Sequence, residues 1–431
     1  MNIGLISIFV AIVLLWILAY KGWSTLWLSP LAALIVAVAC KMDLLEMYTK
    51  TYMEGFAGFA LSWFPVFMLG AIFGKLMDET RMAQSIATHV SRMFGSKWAI
   101  VAVVIAGSIL TYGGISMFVC VFCLYPMCIV LFRDADIPRR LIPATITVGV
   151  FEYTMVCLPG TPQIQNLIPT QYFGTTAMAA PVLGIICGII MGGGGTLYMI
   201  WRARQAKNRG EHFTEPSNAV LVDFDNLPNF WVSLIPLIIV IVTLNAFHWN
   251  IIVSLIAANL SVLILNPKDY KKFVPAINEG AKGAMMPIIS VSAINGFGAV
   301  VKASPAFAQL VESLNQIPGS PLVSMAVAVN VVCGATGSAT GGITITLSAL
   351  ADRYIQISQQ TGIPLSVFHR ILVIAASGMD TVPHNGAILT LLAVTGMTHK
   401  EAYRDIPMCT IILPLIATAV GIFLVSLGMV Y

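Results

Sequence analysis

Two short polar segments interrupt the apolar sequence and hold most of its chemistry. The first reads Leu158-Pro159-Gly160-Thr161-Pro162-Gln163-Ile164-Gln165-Asn166, the second Gly378-Met379-Asp380-Thr381-Val382-Pro383-His384-Asn385-Gly386. Proline lacks a backbone donor and clashes with the preceding turn, so a continuous helix through either segment costs about 3 kcal/mol or more per proline. New half-helices are expected to start near Gln163 and near His384. Such an N-terminus carries free N–H groups and about half a positive charge, which suits a carboxylate without lysine or arginine. His384 is the one basic side chain in either segment, and it can titrate near physiological pH. Asp380 and Glu152 are acids inside apolar sequence, the pattern expected of a proton relay. On continuous helices counted from Arg370 and Arg140 they would lie about 15 and 18 Å into the membrane. Ser377, Asp380 and His384 also admit an intramembrane hydrolase, but no nucleophile elbow accompanies them.

The elements that must position these residues are membrane helices. Of 431 residues, 58% are hydrophobic and 10% charged, with a mean hydropathy of +0.87; a soluble domain is about one-quarter charged. Spans are expected near residues 3–20, 23–40, 60–77, 139–158 and 177–201, then 230–247, 250–266, 284–301, 365–380 and 406–430. About 20 apolar residues cross a bilayer, and helices satisfy the backbone there. Residues 3–20 lack a basic leader and a cleavage pattern and are expected to remain as a helix. The eight cysteines lie nearly all in apolar runs, and the Cys120/Cys123 pair has no second pair to complete a metal set. No metal and no cofactor is expected. A net charge of +4 offers no nucleic-acid surface.

The sequence is internally doubled. Glu54-Gly55 and Gly58 recur as Glu279-Gly280 and Gly283, and Ala83-Gln84 as Ala308-Gln309, at an offset of 225. Ile137-Pro138 recurs as Ile363-Pro364 and Pro181 as Pro407 at 226, Gly113-Gly114-Ile115 as Gly341-Gly342-Ile343 at 228, and Pro162 as Pro383 at 221. Paired interrupted helices in two halves point to the binding site of a secondary transporter.

Two glycine-tipped apolar pairs are expected to re-enter the membrane. The first tip falls at Thr111–Gly114 and the second along Gly334–Gly342, since glycine permits tight turns and close approach. Each half then crosses five times, which inverts the second half. With an external N-terminus, all but Lys41, Lys50, Lys302, Arg353 and Arg370 of the 23 basic residues, Lys21 among the majority, fall inside, as the positive-inside rule requires. The expected fold is therefore an all-α integral membrane protein of two inverted-topology repeats, about 10 transmembrane helices plus two re-entrant hairpins and two broken helices. Residues 1–203 form the first repeat, with a hairpin at 98–132 and a broken helix at 139–170. Residues 204–228 form a cytoplasmic linker, and 229–431 the second repeat, with a hairpin at 321–350 and a broken helix at 365–397. Gly184, Gly188 and Gly192, four apart, suggest close helix packing.

At Cys157–Thr170, Tyr172–Thr176 and Ser377–Gly386 the chain resembles the gluconate permease (GntP) family of the ion transporter superfamily, closest to its hydroxybutyrate-permease-like members. The resemblance implies a non-enzymatic, proton-coupled symporter of a small hydroxy- or sugar-acid monocarboxylate in the bacterial inner membrane. An elevator-like motion and a homodimer are implied with it. Thr161, Gln163, Asn166, Thr381, His384 and Asn385 would bind substrate, with the tips adding Gly113, Gly114 and Ser116 in one half and Thr340, Gly341 and Gly342 in the other. Asp380, Glu152 and His384 would carry the proton. Sodium coupling is the alternative within the class, and a passive channel or hydrolase lies outside it. Both termini are expected in the periplasm, and the partners are substrate, protons and membrane lipid.

Overall fold

The structure, a computed structural model, describes residues 3–20, 23–216, 226–307, 309, 320–383 and 385–429. His384, Lys21, Ala308 and linker residues 217–225 lie outside the described residues. The described elements are helices and turns. The first half holds α1 (Ile3–Tyr20), α2 (Thr25–Ala39), α3 (Leu44–Glu79), α4 (Met82–Phe94), the arms α5 (Ala99–Tyr112) and α6 (Met117–Asp134), then α7 (Ile142–Val150), the half-helix α8 (Ile164–Phe173) and α9 (Pro181–Asn208). The second half holds α10 (Phe230–Asn245), α11 (Ile251–Leu265), α12 (Pro267–Ala303), the arms α13 (Pro321–Thr336) and α14 (Ala339–Thr361), then α15 (Leu365–Ala376), the half-helix α16 (Gly386–Thr395) and α17 (Met408–Ser426). The order of elements repeats, and both proline segments interrupt their helices as expected.

Span lengths differ from the sequence reading. Among the described residues, α3, α9, α12 and α17 are each long and apolar enough to cross a membrane alone, and a fifth span arises only if α4 and α5, bent by 102°, count as one. The other apolar helices are shorter. Polar N-caps fix where three of them start: Ser24 accepts from Leu26 N, Asn229 from Trp231 N, and Asn250 from Ile252 N. Apolar length alone does not register such caps.

The halves are inverted. Gly55 on α3 packs against Gly296 and Ala299 on α12, whereas Gly280 on α12 packs against Ala71 and Ile72 on α3. Numbers rise along one helix as they fall along the other, so equivalent helices run antiparallel. At offset 225 Gly280 is the counterpart of Gly55 and Gly296 that of Ala71, so these are one contact seen twice across a pseudo-twofold axis. Asn295 on α12 also donates to Gly55 O at 2.6 Å. Exposed Ile189, Leu197, Trp231, Ile264 and Phe423 give the outer helices a lipid-facing surface.

One end of the molecule is tied by charge. Asp405, just before α17, accepts from Arg202 Nε (2.5 Å), Tyr198 Oη (2.9 Å) and Arg140 Nη1 (3.3 Å). Residues 211–216 after α9 lie against the end of α6: Arg133 grips Glu215 (2.6 and 2.7 Å), and Asp136 meets His212 Nδ1 (2.7 Å) and accepts from Phe213 N (3.0 Å). These bonds hold the Asp136 carboxyl below the usual carboxylate range, His212 contributing most, and Arg133 does the same for Glu215.

Two outcomes are expected. A Cβ at Gly280 would stand 2.6 Å from Ile72 Cα, whereas one at Gly283 meets nothing within 4 Å. Gly280→Ala should therefore destabilise by about 1–3 kcal/mol and Gly283→Ala should be neutral, read as melting temperature in detergent. Because Asp136 is depressed in the fold, its latch is intact above the ordinary carboxylate pKa and is lost as pH falls through the lowered value. Hydrogen exchange at the Phe213 amide, corrected for intrinsic rate, should rise only in that acid range in the wild type and at neutral pH in Asp136→Asn.

Candidate functional site

The two hairpin tips and the two breaks meet on one cavity of about 500 Å³. Gly114, Ser116 and Met117 come from the first tip, and Pro162, Gln163, Ile164 and Gln165 from the first break. Gly337, Ser338 and Thr340 come from the second tip, with Asn385, Gly386 and Ala387 from the second break. The middles of α3 and α12, with Pro287 and Ser290, close the sides, and the Trp23–Ser24 turn stands at one end. No described lining residue is charged.

Each break is sewn to its own tip by the amide that precedes its half-helix. Gln163 Nε2 donates to Thr111 O (2.6 Å) and Ile115 O (3.3 Å), while Asn385 Nδ2 donates to Gly337 O (2.9 Å) and Asp380 O (2.8 Å). Tyr112 Oη adds a bond to Pro159 O at 2.8 Å. The two amides then diverge. Asn385 Oδ1 caps α16, accepting from Ala387 N (2.7 Å) and Ile388 N (3.0 Å). Gln163 makes no capping bond to α8. The first turn of α8 therefore faces the cavity with its positive end open, whereas that of α16 is already satisfied.

Of the expected binding residues, Gly114, Ser116, Gln163, Thr340 and Asn385 line the cavity. His384 lies outside the described residues, and the others are placed behind the cavity. A side chain on Gly113 would collide with Leu237, and one on Gly342 with Cys333, so these glycines serve close packing. Gly341 is in the first turn of α14, where its N–H meets the Ser338 cap at 3.2 Å. Thr161 is fully buried, and Thr381 is buried with its hydroxyl on Thr410 Oγ1 at 2.6 Å. The second tip is tighter than the expected 334–342 loop: α13 runs to Thr336 and only Gly337 and Ser338 separate it from α14. Gly337 takes φ +61 and Ser338 caps at once, so the serine- and threonine-rich stretch becomes helix.

The depth counts for the acids also change. α7 ends at Val150 and α15 at Ala376, so neither acid continues a regular helix from its arginine. Glu152 is buried and Asp380 half-buried, within electrostatic reach of one another. Arg370, expected as a loop marker, is fully buried. It reaches from α15 into the first break: Nε and Nη2 donate to Ala179 O (3.0 and 2.8 Å), Nη1 to Val156 O (2.8 Å) and Asn166 Oδ1 (3.0 Å), and Nη2 also to Ala177 O (3.2 Å). Asn166 in turn donates to Thr161 O (3.0 Å) and Ala177 O (2.9 Å). His369 is buried as well and bonds Thr175 at 2.7 Å. Sequence reasoning missed this clamp, although Arg370 was already an exception to the charge asymmetry. It also did not single out Gln165 within the first quoted segment, Ser338 within the second tip, or Ser290, which has no motif around it.

A second cavity of about 370 Å³ lies further along α8, lined by Thr170, Gln171, Thr176, Asn245, His248 and Asn250 among others. Asn245 Nδ2 donates to Gly160 O at 2.9 Å, closing the first break from that side. The half-helix α8 thus lines both cavities.

Inverted halves with paired tips and breaks around a midway cavity define a membrane transporter of the broken-helix class. The chain belongs to the GntP permease family: the profile described as GntP family permease matches residues 1–249. A profile described as Na+/H+ antiporter family matches residues 162–428. An uncharacterized transporter of Bacillus subtilis (strain 168), YxjC, is 37% identical over 452 residues, covering 95% of this chain and 96% of that protein. The crystal structure of the Alcanivorax borkumensis YdaH transporter, described as having an unusual topology, shares the fold with a TM-score of 0.61 at 15% identity, covering 90% of each chain.

Removing the clamp should cost more than one interaction. Arg370→Met strips donors from the carbonyls of Val156, Ala177 and Ala179 and from Asn166, at about 1–3 kcal/mol per orphaned acceptor. It should abolish the monodisperse folded species on size-exclusion chromatography. Arg370→Lys, with three donors in place of five, should fold with a melting temperature lowered by several degrees.

Proposed function

We propose that the chain is a secondary active transporter that carries a small hydroxy- or sugar-acid monocarboxylate together with protons. The observation that carries this reading is the convergence of both tips and both breaks on one uncharged, polar-edged cavity, with an open half-helix N-terminus in its wall. The cavity is of ligand-pocket size. The substrate carboxylate would sit at the first turn of α8, beside Gln163 and Gln165, with Ser116, Ser338 and Thr340 meeting its hydroxyl groups. Amides and hydroxyls suit one carboxylate better than two or three. The fixed Arg370 charge behind the first break favours the same polarity, while its donors remain committed to protein acceptors.

The proton would be carried by Glu152 and Asp380 behind the second break, with His384 in the same segment. Asn385 bonds the Asp380 carbonyl and also lines the cavity, so occupancy of the cavity and the state of Asp380 are one residue apart. Residues 1–203 and 229–431 would form the two repeats, joined by the cytoplasmic linker 204–228. The tips, breaks, α9 and α17 would move as an elevator against a scaffold of α1–α3 and α10–α12, with α8 presenting the site to one cavity and then the other. A homodimer in the bacterial inner membrane with both termini periplasmic completes the reading. Hydrolysis is disfavoured because Ser377 is buried and donates to Ile374 O at 2.7 Å. Sodium coupling is a second reading, favoured by the Na+/H+ antiporter family match over residues 162–428.

Proteoliposomes given labelled gluconate, glycerate or 3-hydroxybutyrate should accumulate one of them under an inward proton gradient without sodium. Accumulation that needs a sodium gradient instead would establish the second reading, and equilibration without accumulation would refute active transport. Asp380→Asn should lose gradient-driven accumulation but keep substrate exchange. Gln165→Glu should raise the KM for the carboxylate about tenfold or more while the protein stays folded, because a carboxylate in the first turn stabilises a helix but repels the substrate.

A further inference from the structure

We propose that Glu152, Asp380 and Asn330 form a binding site for one sodium ion at the second break. The proposal goes beyond the transport reading, because an ion held here can be structural whichever gradient drives uptake. It starts from oxygen atoms with no partner. Glu152 is 1% exposed, and neither of its carboxyl oxygens meets a hydrogen-bond partner; Oδ1 of Asp380 and Oδ1 of Asn330 are likewise buried and unpartnered. Unpaired buried acceptors are costly and rare. Four such oxygens, carried by three elements that meet near Gly378, need a common explanation.

Their placement supplies it. Asn330, on the outgoing arm α13, is 9% exposed and donates its amide to Ala326 O at 2.8 Å, which fixes the direction of its Oδ1. That oxygen lies over Gly378, where a Cβ would collide with it. Gly378 separates Ser377, whose side chain adjoins Glu152, from Met379 and Asp380. The absence of a Cβ at Gly378 lets the amide oxygen of one element approach the acids of two others. Among the described residues no cation serves them: Arg370 spends its donors on three carbonyls and Asn166, and the Ser377 hydroxyl donates to Ile374 O. A water molecule has two protons for four acceptors and neutralises no charge.

An all-oxygen set selects a hard cation. Among the described residues no three His, Cys, Asp or Glu side chains converge as metal ligands, so the set is two carboxylates and an amide. Calcium takes six to eight oxygen ligands and is the competing hard cation; the site is assigned to sodium, and the thermal responses to the two ions separate them. The way in runs past Asn385, which bonds the Asp380 carbonyl and lines the cavity.

The test uses the full chain in nanodiscs at pH 8 without substrate, so its outcome is separate from that of the uptake assay. Retention of ²²Na⁺ should be saturable, displaced by unlabelled sodium and not by choline. The melting temperature should rise with sodium chloride above its value in choline chloride of equal ionic strength. Glu152→Gln, Asp380→Asn and Asn330→Leu should each weaken retention by about tenfold or more, the scale on which lost support of a bound ion is felt. Absence of saturable ²²Na⁺ retention by the wild type would overturn the proposal even if every variant failed to fold. So would retention unchanged in Glu152→Gln and Asp380→Asn, or a thermal response to calcium but not to sodium.

Discussion

The fold depends on how main chain is satisfied where helices stop inside the bilayer. Lipid offers no hydrogen bonds, so non-helical backbone survives there only if protein side chains take over its donors and acceptors. At the first break that task falls to a buried guanidinium and an amide. Arg370 holds the carbonyls of Val156, Ala177 and Ala179, and Asn166 holds those of Thr161 and Ala177. At the second, Asn385 holds Gly337 and Asp380. Arg370 belongs to the second half and the carbonyls it holds to the first, so neither half can form its break alone. The duplicated unit is a structural pair.

Pseudo-symmetry makes the departures from it informative. Gln163 and Asn385 occupy equivalent places before their half-helices and bind equivalent tips. The asparagine is one methylene shorter and also caps its own helix, while the glutamine does not. One side chain thus decides which half-helix keeps an open positive end. Buried charge is divided the same way: a cation with satisfied donors stands behind the first break, and two acids stand near the second. The two breaks share a backbone plan and differ in the ionisable groups around them.

Much of this was legible in sequence, for reasons that also explain the failures. Proline and glycine act through local backbone geometry, so Pro162, Pro383, Gly114 and Gly337 marked breaks and tips without tertiary information. The constant offset survived because the antiparallel contact of α3 with α12 needs glycine at both Gly55 and Gly280. Tertiary partnership was not legible. Asn166, Thr161 and Thr381 have the same side-chain chemistry whether they face a cavity or a carbonyl, and the structure turns all three inward. Gly334–Gly342 looked like a loop by composition, yet a single serine cap starts α14 inside it. Arg370 was read as the edge of a span because hydropathy has no means of seeing four acceptors arriving from about 200 residues away.

The division of charge bears on why a carboxylate and a cation should travel together. A carboxylate entering the cavity brings negative charge into a region where Coulomb forces are weakly screened. The open end of α8 and the Arg370 charge offset it on one side. On the other, the Glu152 and Asp380 carboxylates oppose it unless a positive ion or protons occupy them. Anion binding and cation binding therefore favour one another through the field, with no need for direct contact, and linkage makes that preference mutual. A moving unit that crosses with both aboard carries less net charge through hydrocarbon than with either alone. On the proposed reading, coupling in this chain needs no gate between the two ligands, only an anion site and a cation site held a few residues apart by Asn385.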